Sequence, residues 1–534
     1  MIAVCFFRPR YNPNQAHMSS RYLAFTVFSA GMTTLAVELT ASRLLGSVFG
    51  TSNIVWASII GLILIYLTAG YFIGGRWADR SPNFETFYRI LLWAAFAAGL
   101  TPLVARPVLR AAANAFDLLE IGVLLGSFAS VLVLFVVPIT LLGTISPFAI
   151  RLSLASKEEA GRVSGRIYAL STLGSFVGTF LPVLIFIPQL GTTRTFLLFS
   201  FYLMLVALVG LGLSTSWRST AKWLLLPILL AMLAFIWSRG NLKSSAGQIY
   251  ETESAYNYIQ VLEFGETRFL RLNEGQGVHS VFHPSQLAFD GPWMQFLVAP
   301  FFNSAPFAAD DIKSIAIIGL AAGTSARQAS QVFPGVEILG YELDPEIIEV
   351  GREFFGMGMP NLEVIAEDGR VGLAHSDQLF SLIEIDAYRP PYIPWHLTTV
   401  EFFEITRQHL EDDGVVAINV GRAPGDRRLI DALVITLLEV FPSVHVMDVP
   451  DTFNSMVYAT AQPSSFENLE ANFALLQETE SHPLLLTSIE RTLDNQQATP
   501  RDGIVLTDEL APIEWIVNSM VLNYVLSGDY EELQ

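Results

Sequence analysis

Long apolar runs separated by short polar segments fill the first 240 residues of the chain. Seven of these runs approach or exceed the roughly 20 residues that a helix needs to cross a bilayer. They lie near residues 22–48, 53–75, 87–107, 118–149, 166–188, 192–215 and 221–238. No soluble fold buries seven such runs in so short a stretch, so the pattern predicts a polytopic α-helical membrane domain over residues 1–240.

The pattern changes after residue 240. Residues 241–247 are small and polar, which is typical of a linker. Apolar and polar positions then alternate with a period of two, which predicts a small β-hairpin region over residues 248–300. Beyond it, strand patterns alternate with helix patterns. The predicted strands lie near 314–319, 337–342, 362–366, 379–385 and 414–420, and the predicted helices near 325–332, 345–355, 399–410 and 427–441.

This alternation predicts a doubly wound α/β domain, Rossmann-like and of the class I methyltransferase type, over residues 301–465. We expect a C-terminal helical extension over residues 466–534. Ligands of such sheets bind beyond the carboxyl ends of the strands. The residues that directly follow the predicted strands are therefore the candidates for chemistry.

Charge divides the chain at the same place. The first 240 residues carry 17 Lys and Arg against 7 Asp and Glu, whereas the remainder carries 14 against 43. An acidic second half argues against nucleic acid as a partner, because phosphates require a basic surface. The single cysteine, Cys5, excludes an internal disulfide framework. The histidines lack metal-ligand spacing, so no metal is expected.

Basic residues also predict the orientation of the membrane domain. Twelve Lys and Arg fall at the N-terminus and in the second, fourth and sixth loops, and six fall on the other side. The positive-inside rule then places the N-terminus of a multi-pass cell-membrane protein in the cytoplasm. Seven crossings would leave the second half outside, away from a cytosolic nucleoside ligand. We therefore expect an even number of crossings and a cytoplasmic soluble domain, with 221–238 not crossing or 118–149 containing a break.

Small or acidic residues follow four of the predicted strands. Gly319 and Gly323 lie in a small-residue turn after the first strand and allow a ligand to approach the backbone. Glu342 ends the second strand, where an acid takes ribose hydroxyls in nucleoside-binding sheets. Asp368 and Asp386 end the third and fourth strands. The four positions together predict a nucleoside site at one edge of the sheet.

Each of these residues also has a purely structural interpretation. The two glycines could serve the turn alone. Glu342 could cap the next helix, although Asp344 is better placed for that role. Asp368 could form an Asx turn before Gly369, and Asp386 could be a structural carboxylate.

The motifs that carry these residues resemble the spermidine synthase (polyamine aminopropyltransferase) family over roughly residues 248–465. In chain order they are Ser254-Ala-Tyr-Asn-Tyr-Ile-Gln-Val261, Ile318-Gly-Leu-Ala-Ala-Gly-Thr-Ser-Ala-Arg327, Glu342-Leu-Asp-Pro-Glu-Ile-Ile348, Glu367-Asp-Gly-Arg370, Ile385-Asp-Ala-Tyr388, Leu397-Thr-Thr-Val-Glu-Phe-Phe403 and Gly414-Val-Val-Ala-Ile-Asn419. The apolar front is similar to the membrane-fused branch of the family. It carries Glu38-Leu-Thr-Ala-Ser-Arg-Leu-Leu-Gly46 and Gly74-Gly-Arg-Trp-Ala-Asp-Arg80.

The resemblance implies a transferase of polyamine biosynthesis. It would move an aminopropyl group from decarboxylated S-adenosylmethionine to a small-molecule amine and release methylthioadenosine. By resemblance, Glu342 would hold the ribose, Asp368 and Gly369 the adenine, and Asp386 would orient and deprotonate the amine. The lipid bilayer is a further partner, and a homodimer is left open.

Five residues are candidates for the acceptor site. They are Tyr388, Arg389, Trp293, Asn257 and Asp508. The run from Leu506 to Glu514, which contains Asp508, is typical of a helix N-terminus with capping acids. The alternative is that this run folds over the cleft and supplies a carboxylate to a cationic acceptor.

Three positions depart from the family pattern. Ala322 stands where the family carries an Asp that contacts the donor's amino group, and Arg389 stands where a second Asp grips the diamine. Trp293-Met-Gln295 replaces the family's tyrosine-containing site motif. Arginine repels an ammonium group and suits a carboxylate or phosphate.

Three hypotheses follow. The first is a membrane-anchored aminopropyltransferase. The second is a transferase that moves a methyl or aminocarboxypropyl group from intact S-adenosylmethionine to an anionic or lipid-like, membrane-associated acceptor. The third is a non-catalytic transporter or sensor. Donor preference separates the first two, and turnover of any kind excludes the third.

Overall fold

The computed structural model describes residues 13–49, 53–119, 123–154, 156–237, 245–273, 277–388, 393–423, 425–479 and 481–527. The chain divides into two compact units, Met1–Ser244 and Ser245–Gln534. This boundary falls within the stretch interpreted as a linker. Each unit has apolar cores of its own.

The first unit is built from helices. Their bounds are α1 Pro13–Phe49, α2 Asn53–Arg80, α3 Phe84–Leu119, α4 Val123–Gly143, α5 Ile145–Ser153, α6 Ala160–Leu181, α7 Ile187–Leu190, α8 Thr192–Ser214, α9 Trp217–Thr220 and α10 Leu225–Trp237. A π-helical turn, Pro182–Phe186, joins α6 to α7, and a 3₁₀ turn, Ala221–Leu224, joins α9 to α10. Helices suit these apolar runs because they satisfy their backbone hydrogen bonds internally.

Seven helical stretches within the described residues are long and apolar enough to cross a membrane, which confirms the predicted number of apolar segments. They are Ser20–Gly46, Val55–Arg80, Phe84–Ala105, Phe128–Ser153, Ala160–Leu190, Thr192–Ser214 and Trp217–Trp237. The fourth stretch begins later than the predicted 118–149, because α3 continues to Leu119. The seventh, although weak in the sequence, meets the same criterion. Length and composition therefore do not favour the even number that we expected.

Glycines bring α1 and α6 into backbone contact. Gly174 and Gly178 lie four residues apart on α6. A Cβ atom at these positions would overlap the carbonyl oxygens of Phe28 and Met32 on α1. Small residues with this spacing allow close helix approach in a membrane, where packing replaces the hydrophobic effect between helices. The contact between α1 and α6 therefore depends on the missing side chains.

The second unit begins with a four-stranded antiparallel sheet in the order β1-β2-β3-β4. Its strands are β1 Gln248–Glu253, β2 Tyr258–Phe264, β3 Thr267–Leu272 and β4 Val278–Phe282. The predicted β-hairpins are thus present, and they occupy the first part of the predicted region 248–300, ending at Phe282. Trp293–Phe302 instead forms a buried 3₁₀ helix. Its nearly continuous apolar sequence lacks the alternation of a half-exposed strand.

An eight-stranded sheet forms the centre of this unit. Its strands are β5 Ser314–Ile318, β6 Glu337–Tyr341, β7 Leu362–Ile365, β8 Phe380–Ile385, β9 Leu410–Gly421, β10 Ser443–Asp448, β11 Asn454–Thr460 and β12 Gln496–Gln497. The order across the sheet is β12-β10-β11-β9-β8-β5-β6-β7. β5 to β9 pair in parallel, whereas β11 pairs antiparallel with both β9 and β10. The predicted Rossmann-like fold class is confirmed, with an antiparallel hairpin at one edge that the sequence did not indicate.

Helices cover both faces of this sheet. They are α11 Thr324–Val332, α12 Pro345–Phe354, α13 Gly369–Ala374, α14 Val400–Gln408, α15 Arg428–Leu438, α16 Phe466–Glu478, α17 Pro483–Asp494 and α18 Ile513–Ser527. One core contains the 3₁₀ helix with α11, α16 and α17, and the other contains α14, α15 and α18. Because β5 to β9 are parallel, their carboxyl ends meet at one edge of the sheet.

We expect Gly174→Leu to destabilise the first unit, because the backbone of Phe28 leaves no room for a side chain. Overpacking of this kind costs about 1–3 kcal/mol. The measurement is the thermal unfolding midpoint of the full chain in detergent. The matched control is Gly165→Leu on the same helix, where a Cβ meets no heavy atom within 4 Å. Equal midpoints for the two variants would contradict the packing role of Gly174.

Candidate active site

The turn after β5 approaches the chain that leaves β8. Gly319 has a φ of 86°, and a Cβ there would lie 2.6 Å from the Cα of Ala387. Conformation and space therefore both exclude a side chain. Gly323, with a φ of 82°, ends the turn at the start of α11. The backbone of this turn thus requires both glycines.

Glu342 is fixed against the same turn. Its Oε2 accepts a hydrogen bond from the backbone N–H of Ala321 at 2.9 Å, and its Oε1 accepts one from Asp344 at 3.0 Å. Burial raises the pKa of Glu342 to about 7, although these hydrogen bonds lower it. Asp344 caps α12 by accepting from the N–H of Glu346. Glu342 is therefore not the helix cap.

Asp368 uses both carboxylate oxygens within the protein. Oδ1 accepts from the backbone N–H groups of Arg370 and Val371 at 3.0 and 3.2 Å, which caps α13. Oδ2 lies 2.9 Å from Nε2 of His396. The hydrogen bond with His396 is the largest of the effects that lower the pKa of Asp368. The structural interpretation of this aspartate is thus realised, as a helix cap with a histidine partner.

Gly369 and Asp508 lie in the same neighbourhood. A Cβ on Gly369 would overlap the side chain of Ile318, so this glycine lets α13 approach β5. Arg370 donates to both carboxylate oxygens of Asp508, at 2.7 and 2.6 Å, and the hydroxyl of Thr399 donates at 2.7 Å. Asp508 is therefore paired with a cation. α18 begins at Ile513, inside the run from Leu506 to Glu514, and carries Glu514 in its first turn, so the run contains a helix N-terminus, although Asp508 lies before that helix.

Asp386 directly follows β8. Its backbone N–H donates to the carbonyl of Ile318 at 2.9 Å, which continues the ladder past the strand end. Asn419 of β9 donates from Nδ2 to Oδ1 of Asp386 at 2.8 Å. Asn454 of β11 donates in turn to Oδ1 of Asn419 at 2.7 Å, which fixes the orientation of that amide. Burial raises the pKa of Asp386 to about 7, and the hydrogen bond from Asn419 lowers it.

Glu384 is a second buried carboxyl group on the face of β8 that carries Asp386, because side chains two apart along a strand share a face. It is fully buried. Burial raises its pKa to about 8, the nearby Ser325 hydroxyl lowers it, and the charge of Asp386 raises it. Burial therefore favours the neutral form of Glu384, which lies on the same face of β8 as Asp386.

Asp386 lines a cavity of about 350 Å³. Trp293 of the 3₁₀ helix, Phe453 before β11, and Val517 and Met520 of α18 supply apolar walls. Among the described residues that line the cavity, Asp386 is the one carboxylate. The cavity can therefore hold one amine at the carboxylate and an apolar chain beyond it.

Three further polar side chains line the same cavity. The hydroxyl of Tyr388 accepts a hydrogen bond from the backbone N–H of Gly421, which ties the chain after β8 to the end of β9. Nε2 of His279 is buried, with no hydrogen-bond partner in the described parts of the chain. Burial lowers the pKa of His279 to about 4, so its ring is neutral. Arg422 contributes the guanidinium group of the lining.

The acceptor-site candidates separate into three groups. Trp293 and Tyr388 line the cavity with Asp386. Asn257 lies elsewhere and donates to Oδ2 of Asp344 at 2.8 Å. Arg389 lies outside the described residues. Asp508, as described above, pairs with Arg370 and is not part of the cavity lining.

Four polar residues of the cavity were not among the sequence-based candidates. They are His279, Asn419, Arg422 and Asn454. Asn419 could have been found, because it lies at the carboxyl end of a predicted strand. Asn454 comes from β11, whose insertion between β9 and β10 has no signal in the sequence. No group of three or more potential metal ligands occurs in the portion of the chain that the structure describes.

Comparison with known proteins relates this unit to one group of enzymes. A probable polyamine aminopropyl transferase of Bifidobacterium longum is 32% identical over 279 residues, which are 50% of this chain and 61% of that protein. The chain thus spans about three fifths of that relative. A polyamine aminopropyltransferase of Vibrio vulnificus is 27% identical over 283 residues, which are 49% of this chain and 89% of that protein. No known family profile matches the chain.

Solved structures of similar fold include a probable spermidine synthase from Corynebacterium glutamicum. It has a TM-score of 0.38 and 20% identity, and the match covers 49% of this chain and 98% of that chain. Spermidine synthase from Thermotoga maritima matches with a TM-score of 0.34 and 20% identity over 41% of this chain and 74% of that chain. About half of this chain is thus similar in sequence to polyamine aminopropyltransferases.

Proposed function

We propose that this chain is a membrane-anchored aminopropyltransferase. It would transfer an aminopropyl group from decarboxylated S-adenosylmethionine to an amine and release methylthioadenosine. The observation that carries the proposal is the half-buried carboxylate of Asp386, which lies at the carboxyl end of a central strand and lines a cavity. Homology to polyamine aminopropyltransferases supports it. The seven apolar helices would anchor the enzyme in the cell membrane, with the second unit in the cytoplasm beside a cytosolic donor.

The donor would bind along the edge formed by the ends of β5, β6 and β7. The Gly319–Gly323 turn would lie beside the donor, and it is held close to the chain after β8, because a Cβ at Gly319 would overlap the backbone of Ala387. The carboxylate of Glu342 is oriented by backbone hydrogen bonds from Ala321 and Asp344, and a remaining lone pair would accept a ribose hydroxyl. Asp368 and Gly369 would lie beside the adenine.

Asp386 would act as the general base. An amine attacks only as the free base, whereas free alkyl amines have a pKa near 10. In the transfer, a carbon–nitrogen bond forms, and the carbon–sulfur bond of the donor breaks with its electron pair passing to sulfur. The nitrogen then loses one proton, which the carboxylate of Asp386 accepts. A pKa of about 7 suits this role, because a base is most effective near the operating pH.

Intact S-adenosylmethionine is the second candidate donor, and one observation favours it. Ala322 stands where the family resemblance implies an acid, and its buried backbone N–H donates to the hydroxyl of Ser280 at 2.9 Å. Because Ala322 carries no negative charge, this position does not repel the carboxylate of intact S-adenosylmethionine. The acceptor of a methyl or aminocarboxypropyl group would then be an anionic or membrane-associated molecule.

We expect Asp386→Asn to abolish turnover and to retain donor binding, because the amide keeps the shape but cannot accept a proton. Loss of a general base costs about 10²–10⁴-fold in rate. Methylthioadenosine release would be measured by mass spectrometry on the full chain in detergent, with a polyamine mixture and either donor. Calorimetry with methylthioadenosine would measure binding. An active variant would remove the role of Asp386, and release from the intact donor alone would replace the first candidate by the second.

We expect kcat/KM to rise with pH through about 7, because Asp386 is protonated below its pKa and ionised above it. In Asn419→Ala this rise of kcat/KM should occur at higher pH, since the variant loses the hydrogen bond that lowers the pKa of Asp386. The control is Glu384→Gln, which removes the other carboxyl group on that face and should leave the rise near 7. A rise that does not move in Asn419→Ala would argue against Asp386 as the titrating group.

We expect Asp508→Asn to weaken donor binding and to leave the acceptor KM unchanged. Asp508 holds Arg370, which also donates to the carbonyl of His396, the partner of Asp368. A partly exposed ion pair contributes about 0.2–1 kcal/mol, which corresponds to a donor KM up to roughly fivefold higher. Glu509→Gln is the neighbouring control. A change confined to the acceptor KM would instead favour the segment at Asp508 as part of the acceptor site.

A further inference from the structure

We propose that the acceptor is a primary amine with a carboxylate at its far end, and that Arg422 binds this carboxylate. The inference rests on the proposed function, because it assigns the second end of the molecule whose amine reacts at Asp386. It differs from the binding of a diamine, which would require a second acid. Three independent features of the cavity carry it.

The first feature is the environment of the Arg422 guanidinium. Nη2 donates to the carbonyl of Thr452 at 3.0 Å, which anchors the group. Nε is buried and makes no hydrogen bond within the described chain, and Nη1 has no protein hydrogen bond there either. The side chain is 21% exposed and lines the cavity. Nε faces Asp448, so the donors that Arg422 retains for a ligand are those of Nη1 and the second hydrogen of Nη2.

The second feature is the weak neutralisation of this cation by the protein. The nearest carboxylate is Asp448, whose Oδ1 lies 3.7 Å from Nε of Arg422. Asp448 is already engaged by Arg427, whose Nη1 donates to both of its oxygens at 3.0 and 2.8 Å. Ser455 donates a further hydrogen bond to Asp448 at 2.5 Å. Asp448 thus serves mainly Arg427, and Arg422 retains much of its attraction for a ligand anion.

The third feature is the distribution of charge along the cavity. Among the described lining residues, Asp386 is the one acid, so no carboxylate awaits a second ammonium group. A diamine would instead bring its second cation towards Arg422, where like charges repel. The lining of the same cavity also includes the apolar residues Trp293, Val517 and Met520, which suit a methylene chain.

Sheet register gives the spacing. Ile385 pairs with Ile418, so Asp386 lies beside Asn419, and Arg422 lies three residues further along the same strand direction. Three residues of parallel strand span roughly 10 Å. Chains of about four to six carbons between amine and carboxylate match a separation of this order.

The test measures binding and turnover separately on the full chain in detergent with methylthioadenosine or the donor present. The probes are 6-aminohexanoate, 1,6-diaminohexane and hexylamine, which share a chain length and differ in the far end. We expect 6-aminohexanoate to bind at least 10-fold more tightly than 1,6-diaminohexane. Arg422→Gln should lose at least 10-fold in affinity for 6-aminohexanoate and change hexylamine affinity by less than threefold.

Two further variants separate anion binding from a structural role of Arg422. Arg422→Lys keeps the charge and should retain part of the preference for 6-aminohexanoate. Arg427→Gln removes the other guanidinium on Asp448 and leaves that carboxylate to Arg422, so it should weaken the preference for 6-aminohexanoate. Unchanged methylthioadenosine affinity in each variant verifies that the domain is folded.

Binding and turnover have different consequences. Tighter binding of the diamine by the wild-type chain, or no loss of 6-aminohexanoate affinity in Arg422→Gln, would overturn the inference whatever the turnover. If the chain also transfers an aminopropyl group to the diamine in that case, the proposed function still holds and only the inference about the carboxylate is refuted. Selective, Arg422-dependent binding of 6-aminohexanoate without transfer from either donor would support the anion site and refute the proposed function.

Discussion

The register of β8 between β5 and β9 is the constraint on which the candidate site depends. The hydrogen bond from the N–H of Asp386 to the carbonyl of Ile318 extends the ladder one residue past the strand, and the pairing of Ile385 with Ile418 brings Asn419 beside Asp386. A slip of one residue would turn Asp386 to the opposite face. Gly319 is part of the same constraint, because a Cβ there would push the chain after Asp386 away. The position of the carboxylate is therefore set by backbone pairing before any side chain contributes.

The sequence predicts those parts of the fold that depend on local pattern. Parallel strands buried on both faces are continuous apolar runs, so β5 to β9 and the acids behind them could be located to within a few residues. The same reasoning fails at β11, because its place between β9 and β10 depends on pairing across the sheet. Asn454 therefore could not be assigned to the cavity. The pairing of Asp508 with Arg370 joins residues 138 positions apart, which no local pattern specifies.

Strand-end acids also differ in ways that the sequence does not distinguish. Glu342 and Asp386 are both raised in pKa by burial, whereas Asp368 is lowered by its hydrogen bond with His396. Asp368 is thus a helix cap whose ionised form is stabilised, whereas the pKa of Asp386 is raised into the range in which it can exchange a proton. The difference arises from the hydrogen-bond partner His396 of Asp368 and from the desolvation of Asp386 in its cavity. Neither can be inferred from an acid that merely follows a strand.

Charge balance connects the base to the remainder of the cavity. Burial makes the ionised form of Asp386 costly, and an incoming ammonium group offsets that cost by pairing with it. Substrate and base would therefore ionise as a pair, and the proton would move within the pair rather than to solvent. Arg422 disfavours an acceptor with a second cationic group, because the cavity would then carry excess positive charge. An acceptor with one amine and one anion leaves both Asp386 and Arg422 paired, and the apolar walls then meet only its uncharged chain.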